Sequence, residues 1–156
     1  MANTLRIGIA GLGNVGVGVL DIIRKHGALL ADRAGVAIAV TAVSARDKAK
    51  DRGHDLSGLK WFDDPVGLAK SPDIDVFVEL MGGEGDPAKS AVEAAIAAGK
   101  HVITANKALL ALHGEEIFAA DTPEEVIAWA TATHPEDAGW FVHYIPREKF
   151  VWIYAD

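Results

Sequence analysis

The chain has 156 residues, half of them hydrophobic, with a formal charge of −7 and no cysteine. That is enough apolar material for one packed domain with a sizeable core. The acidic balance argues against a nucleic-acid partner, since a phosphate backbone asks for a basic face, and the lack of cysteine excludes disulfides, thiolate zinc sites and a cysteine nucleophile.

The first residues lead straight into an apolar run, with no basic segment and apolar core before it, and no run approaches the roughly 20 residues of a membrane span. A cytoplasmic protein without a membrane partner is expected. The six histidines are scattered without metal-ligand spacing, so no metal site is expected.

Leu5 to Ala10 reads as a strand, broken only by Arg6 and Gly8. The turn Gly11-Leu12-Gly13-Asn14-Val15-Gly16 follows, and then a helix from about Val15 to the early thirties, weakened at Gly27. Strand, glycine turn and helix form the context of a dinucleotide fingerprint. Gly11 would take a tight-turn conformation, Gly13 would let the backbone approach a pyrophosphate, and Gly16 would let the helix pack close to the strand. The helix N-terminus would then face the phosphates.

Val36 to Val43 is rich in β-branched residues with little alternation, as in a strand covered on both faces of a parallel sheet. A residue at the end of this second strand commonly reads the adenosine ribose, and an acid there favours NAD. Here the run is Ser44-Ala45-Arg46-Asp47-Lys48. Ser44 and Arg46 stand where an acid would repel a 2′-phosphate, so the chemistry leans to NADP; Asp47 leaves NAD open.

Asp51 to Lys60 reads as an irregular excursion, Trp61-Phe62 as a short extended piece, and Asp64 as the cap of a short helix with Pro65 at its first position. Ile74 to Leu80 is the next strand, ending at Met81-Gly82-Gly83. The diglycine would allow backbone close to a cofactor at the carboxyl end of the strand, or it is simply a flexible connection. Pro87 to Ala98 is an alanine-rich helix with Gly99 just past it, His101 to Ala105 a short strand, and a further helix runs from about Ala108 to Ala119. The order predicts an α/β fold, a doubly wound parallel Rossmann-type sheet over residues 1–120.

The remainder, residues 121–156, is predicted to form a helix opening at Thr122-Pro123 and an aromatic β-hairpin from Trp140–Ile145 and Phe150–Tyr154. One reading packs this tail on the same domain. The other makes it a surface for a partner or a second copy of the chain, hence a homodimer.

From Leu5 to about Ile117 the chain resembles the nucleotide-binding domain of the homoserine dehydrogenase family. The matching pieces are GIAGLGNVG (Gly8–Gly16), VSARDKAKDRG (Val43–Gly53), WFDDP (Trp61–Pro65), DIDVFVELMGG (Asp73–Gly83) and AAIAAGKHVITANKALLALHG (Ala94–Gly114). The last two are the most specific. The resemblance implies an NAD(P)-dependent oxidoreductase that interconverts L-homoserine and L-aspartate 4-semialdehyde on the route to threonine and methionine. It implies that Gly11, Gly13, Asn14, Val15 and Gly16 cradle the pyrophosphate. Arg46 would lie by the adenosine ribose or its 2′-phosphate, and the segment Thr104 to Lys107, including Asn106, near the nicotinamide; Ser44, Gly82 and Gly83 stand beside these as further cofactor-binding candidates. Lys107 is the candidate catalytic residue, since a cation beside the alcohol oxygen could stabilise charge as the hydride moves. In the family, the groups that hold homoserine belong to a later segment that residues 118–156 do not match. A non-catalytic NAD(P)-binding module is therefore the alternative reading.

Overall fold

The computed structural model describes residues 4–117, and the fold below is that of the unit formed by Met1–His113. The expected helix and aromatic hairpin of 121–156 lie outside the described residues. The elements run β1 (Thr4–Ala10), α1 (Asn14–Ala34), β2 (Ala37–Ser44), β3 (Lys60–Phe62), α2 (Pro65–Ala69), β4 (Val76–Glu79), α3 (Ala88–Ala97), β5 (His101–Thr104) and α4 (Lys107–Ile117). The strands form one sheet in the order β3-β2-β1-β4-β5, and every pairing is parallel. This is the doubly wound architecture expected, with β1 central and the strand order reversing beside it. Two details go beyond the expectation. The Trp61-Phe62 piece is a sheet strand, paired with β2, and α1 carries its irregularity at His26, one residue before the weak Gly27.

Successive residues of a strand point to opposite faces, and β1 shows what each face requires. Ile7 and Ile9 pack in one cluster with Leu20 of α1, Val43, Val76 and Val78. Gly8, between them, faces the other side, where a Cβ would come within 2.7 Å of the Ile74 side chain and 3.1 Å of Leu68. Its register partner there is Phe77. Phe77, Leu68 and Ile74 are fully buried, each contributing on the order of 1.5–3 kcal/mol. The β1–β2 register also shifts at Gly8: Ile7 pairs with Val40 but Gly8 with Ala42. Thr41 is thus the extra residue of a bulge, and its hydroxyl donates to the Asp73 carbonyl at 2.8 Å.

Helix α3 buries Ala88, Ala91, Val92 and Ala95, a stripe at helical spacing, and contacts α2, β4 and β5. Three of the four are alanine, so the helix can approach closely. Gly99 ends it in the left-handed region at φ 69°, the usual role of glycine after a helix.

Candidate functional site

The last residues of the five strands line up in one row across the sheet. Phe62 pairs with Ser44, Ser44 with Ala10, Ala10 with Glu79 and Glu79 with Thr104. Just beyond that row lie the connections carrying the candidate residues named from sequence. Parallel strands therefore bring Gly11–Gly16, Arg46, Gly82, Gly83, Asn106 and Lys107 to one edge, though they are spread over nearly a hundred positions. Ser44 and Thr104, the last residues of β2 and β5, are members of the row itself. A cavity of about 420 Å³ lined by Thr4, Leu5, Arg6, Val36 and Asp75 lies at the opposite, N-terminal edge, away from these residues.

The glycine turn is shaped by two different demands. Gly11 has φ 102°, and a Cβ on it would lie 2.5 Å from the Leu80 carbonyl oxygen. A Cβ on Gly16 would overlap the Gly11 carbonyl oxygen, so the helix closes tightly on the end of β1. These two glycines are required by the chain itself. Gly13 is exposed, and a Cβ there would meet nothing among the described residues within 4 Å. The amide of Gly11 donates to the Ser44 carbonyl at 2.8 Å, and the amide of Leu80 to the Ala10 carbonyl at 2.7 Å, which fixes the turn between its neighbours.

Helix α1 starts from this turn without a side-chain cap. The N-cap residue of α3, Pro87, likewise supplies no side-chain cap, whereas in α2, α3 and α4 a nearby side chain still takes a first-turn amide. Asp64 accepts from Val66 and Gly67 in α2, Asp86 accepts from Ser90 in α3, and Asn106 accepts from Leu109 in α4. Backbone N–H groups at a helix start need partners, and those of Asn14, Val15 and Gly16 open α1 beside two exposed side chains.

On the β2 side, Ser44 is buried at the strand end, and Arg46 is exposed in the loop that follows. That loop is held by Arg52, which the sequence reading passed over. Its guanidinium donates to three backbone carbonyls: Asp47 at 2.6 Å, Lys50 at 2.8 Å and Leu12, within the glycine turn, at 3.2 Å. It also lies over the Trp61 ring, 5.7 Å from the centroid, with Lys48 5.9 Å from the same ring. Arg52 so ties the Asp47–Lys50 stretch to the turn.

On the β4–β5 side the tie is buried. Glu79 is fully enclosed. One carboxylate oxygen accepts from the Met81 amide at 2.6 Å and the other from the Thr104 hydroxyl at 2.5 Å. The Asn106 amide donates to Thr104 Oγ1 at 3.0 Å. The Asn106 side chain donates to the Gly83 carbonyl at 2.6 Å and the Met81 carbonyl at 3.3 Å, and caps α4 through its oxygen. The Met81–Gly83 and Thr104–Lys107 motifs are thus one hydrogen-bonded unit. Gly82, Gly83 and Lys107 are exposed on it, Lys107 in the first turn of α4. Glu79 too was not singled out from sequence. Its signal was an acid at the end of an otherwise apolar strand, since a buried acid needs partners.

Among the described residues, no group of three or more histidines or acids could hold a metal, and no helix is long and apolar enough to cross a membrane.

The family model described as "Homoserine dehydrogenase, NAD binding domain" matches residues 11–127. Homoserine dehydrogenase of Pseudomonas aeruginosa is 42% identical over 125 residues, which are 79% of this chain and 28% of that protein. Among solved structures, a homoserine dehydrogenase from Thiobacillus denitrificans superposes with a TM-score of 0.69 at 41% identity, over 75% of this chain and 27% of that one. The Staphylococcus aureus homoserine dehydrogenase at pH 7.0 superposes with 0.68 at 32% identity, over 83% and 31%. The chain spans less than a third of the length of each.

Proposed function

Because the chain belongs to the family of the homoserine dehydrogenase NAD-binding domain, we propose that it is the cofactor-holding part of a homoserine dehydrogenase, with NADP preferred over NAD. A nicotinamide dinucleotide supplies hydride transfer when bound, and the work of this domain is to hold and orient it. The carrying observation is the contrast within the glycine turn: Gly11 and Gly16 fill space the chain needs, while the space at Gly13 is open beside a helix start that no side chain caps. A dinucleotide pyrophosphate matches both features, since it brings negative charge to free amides and needs a residue without a side chain in its way.

The other roles follow from the same edge. Arg46 would pair with the 2′-phosphate. Gly82 and Gly83 leave backbone accessible on the nicotinamide side, with Thr104 and Asn106 beside them. Lys107 would stabilise charge at the homoserine hydroxyl oxygen during oxidation to the semialdehyde. L-Homoserine as substrate is part of this reading, by likeness to relatives of which this chain spans less than a third; a homodimer is part of it only on the aromatic residues expected to form a surface within 121–156.

Gly13→Val tests the carrying observation directly. Among the described residues nothing lies within 4 Å of a Cβ at this position, so the variant is expected to fold and to lose at least about tenfold in NADPH affinity, followed by the change in nicotinamide fluorescence. Unchanged affinity in a folded variant would falsify the pyrophosphate assignment. Arg46→Ala is expected to weaken NADPH more than NADH; equal losses would remove the 2′-phosphate role.

A further inference from the structure

We propose that Glu79 is a positioning residue for the nicotinamide half of the cofactor, acting through the Thr104 hydroxyl and Asn106 rather than touching the cofactor. The inference rests on the reading above, that the loops after β4 and β5 receive that half.

The hydrogen bonds have one direction only. The Asn106 amide gives its proton to Thr104 Oγ1, so the single hydroxyl proton of Thr104 goes to Glu79. The second carboxylate oxygen takes the Met81 amide proton. Both oxygens of Glu79 act as acceptors. From this one group the order runs outward along two loops. Met81 leads to the exposed Gly82 and Gly83, and Thr104 leads through Asn106 to the exposed Lys107. Asn106 closes the circuit by donating to the Gly83 and Met81 carbonyls. The Thr104 hydroxyl has its one proton committed to Glu79 and accepts from the Asn106 amide, so it links the carboxyl to the loop.

A glutamine at position 79 cannot reproduce this pattern. Its amide oxygen can accept from Met81, but its NH₂ then faces Thr104 Oγ1 and leaves the hydroxyl proton without its acceptor. The loops would keep their sequence and lose their common anchor. The glycine turn and the β2 loop have their own ties to Ser44 and Arg52, so the pyrophosphate and adenosine half should be spared.

The test measures binding of NADPH and of 2′-phospho-ADP-ribose, which lacks the nicotinamide, by titration calorimetry. It compares the full chain with Glu79→Gln and Thr104→Val. The expected result is a loss of about tenfold or more for NADPH in both variants, with 2′-phospho-ADP-ribose held within about twofold. A purely structural role would weaken both ligands alike and overturn the proposal, as would unchanged NADPH affinity. If Glu79→Gln does not fold, as judged by circular dichroism, Thr104→Val decides alone, because it removes only the relaying hydroxyl at nearly constant volume. An unmodified chain that binds neither ligand overturns the proposed function itself. An unmodified chain that binds both, with variants indistinguishable from it, overturns only the role of Glu79.

Discussion

The loops on the two sides of the glycine turn are fixed by opposite means. After β2, the backbone is held by a half-buried arginine that reaches three carbonyls and rests on a tryptophan ring. After β4 and β5, it is held by a fully buried carboxylate and an almost fully buried amide whose bonds are all satisfied within the chain. At Asp47 and Lys50 water can replace what the arginine provides, because the carbonyls of exposed residues find new partners; only the Leu12 carbonyl belongs to a buried residue. Water cannot easily replace what Glu79 and Asn106 provide, because a buried group left unpaired bears its full desolvation cost. The first loop can therefore tolerate change, and the second is built for one geometry.

The comparison is sharpest at Asn106. Asn106→Ala removes the cap of α4 and the donors to the Met81 and Gly83 carbonyls, and should cost on the order of 2–3 kcal/mol in denaturant unfolding. A cost below about 0.5 kcal/mol would mean that the buried side is no more rigidly held than the other. Arg52→Met keeps much of the stem while removing the donors, and should cost no more than about 1 kcal/mol. Its clearer effect should be on binding, with a severalfold loss for NADPH and a smaller one for NADH, because the loop bearing Arg46 loses its tie to Leu12. An Arg52→Met variant destabilised as much as Asn106→Ala would erase the distinction between the two sides.

The smallest effect lies at the far edge of the sheet. The Arg6 guanidinium, donating to Asp75 at 3.0 Å through Nε and at 2.5 Å through Nη2, holds the Asp75 carboxyl below the usual carboxylate range. A depressed folded-state value adds stability above the unfolded pKa of about 4, and that stability is lost as pH falls through the folded value. The stability difference between the parent and Asp75→Asn should be level from neutral pH to about 5 and shrink below about 4. The pair is partly exposed, so its contribution is modest and should fall with added salt. A difference that grew on acidification would contradict the ion pair.

Much of this arrangement was legible before folding. The glycine turn, the β-branched second strand, Asp64-Pro65 and the alanine-rich helix each report a local demand: a φ only glycine tolerates, a strand covered on both faces, a cap, a close approach. Gly8 was harder to read, because its reason lies in Ile74 and Leu68, some sixty residues away. Arg52 and Glu79 were not read as site residues. An arginine in a mixed-charge loop looks like any solvated cation, and a glutamate ending an apolar strand shows a need for partners without naming them.

The sequence by itself determined most of the element order, the parallel class of the sheet, the glycine turn and the family, because these depend on periodicity, on backbone permissions and on contiguous motifs. Tertiary structure decided which strand ends share a row, that VELMGG and TANK are one hydrogen-bonded unit, and which cation braces the turn. Those are contacts between residues 18 to 69 positions apart. A hydrogen bond across that distance depends on strand register, and register is set by which side chains a buried face of the sheet packs.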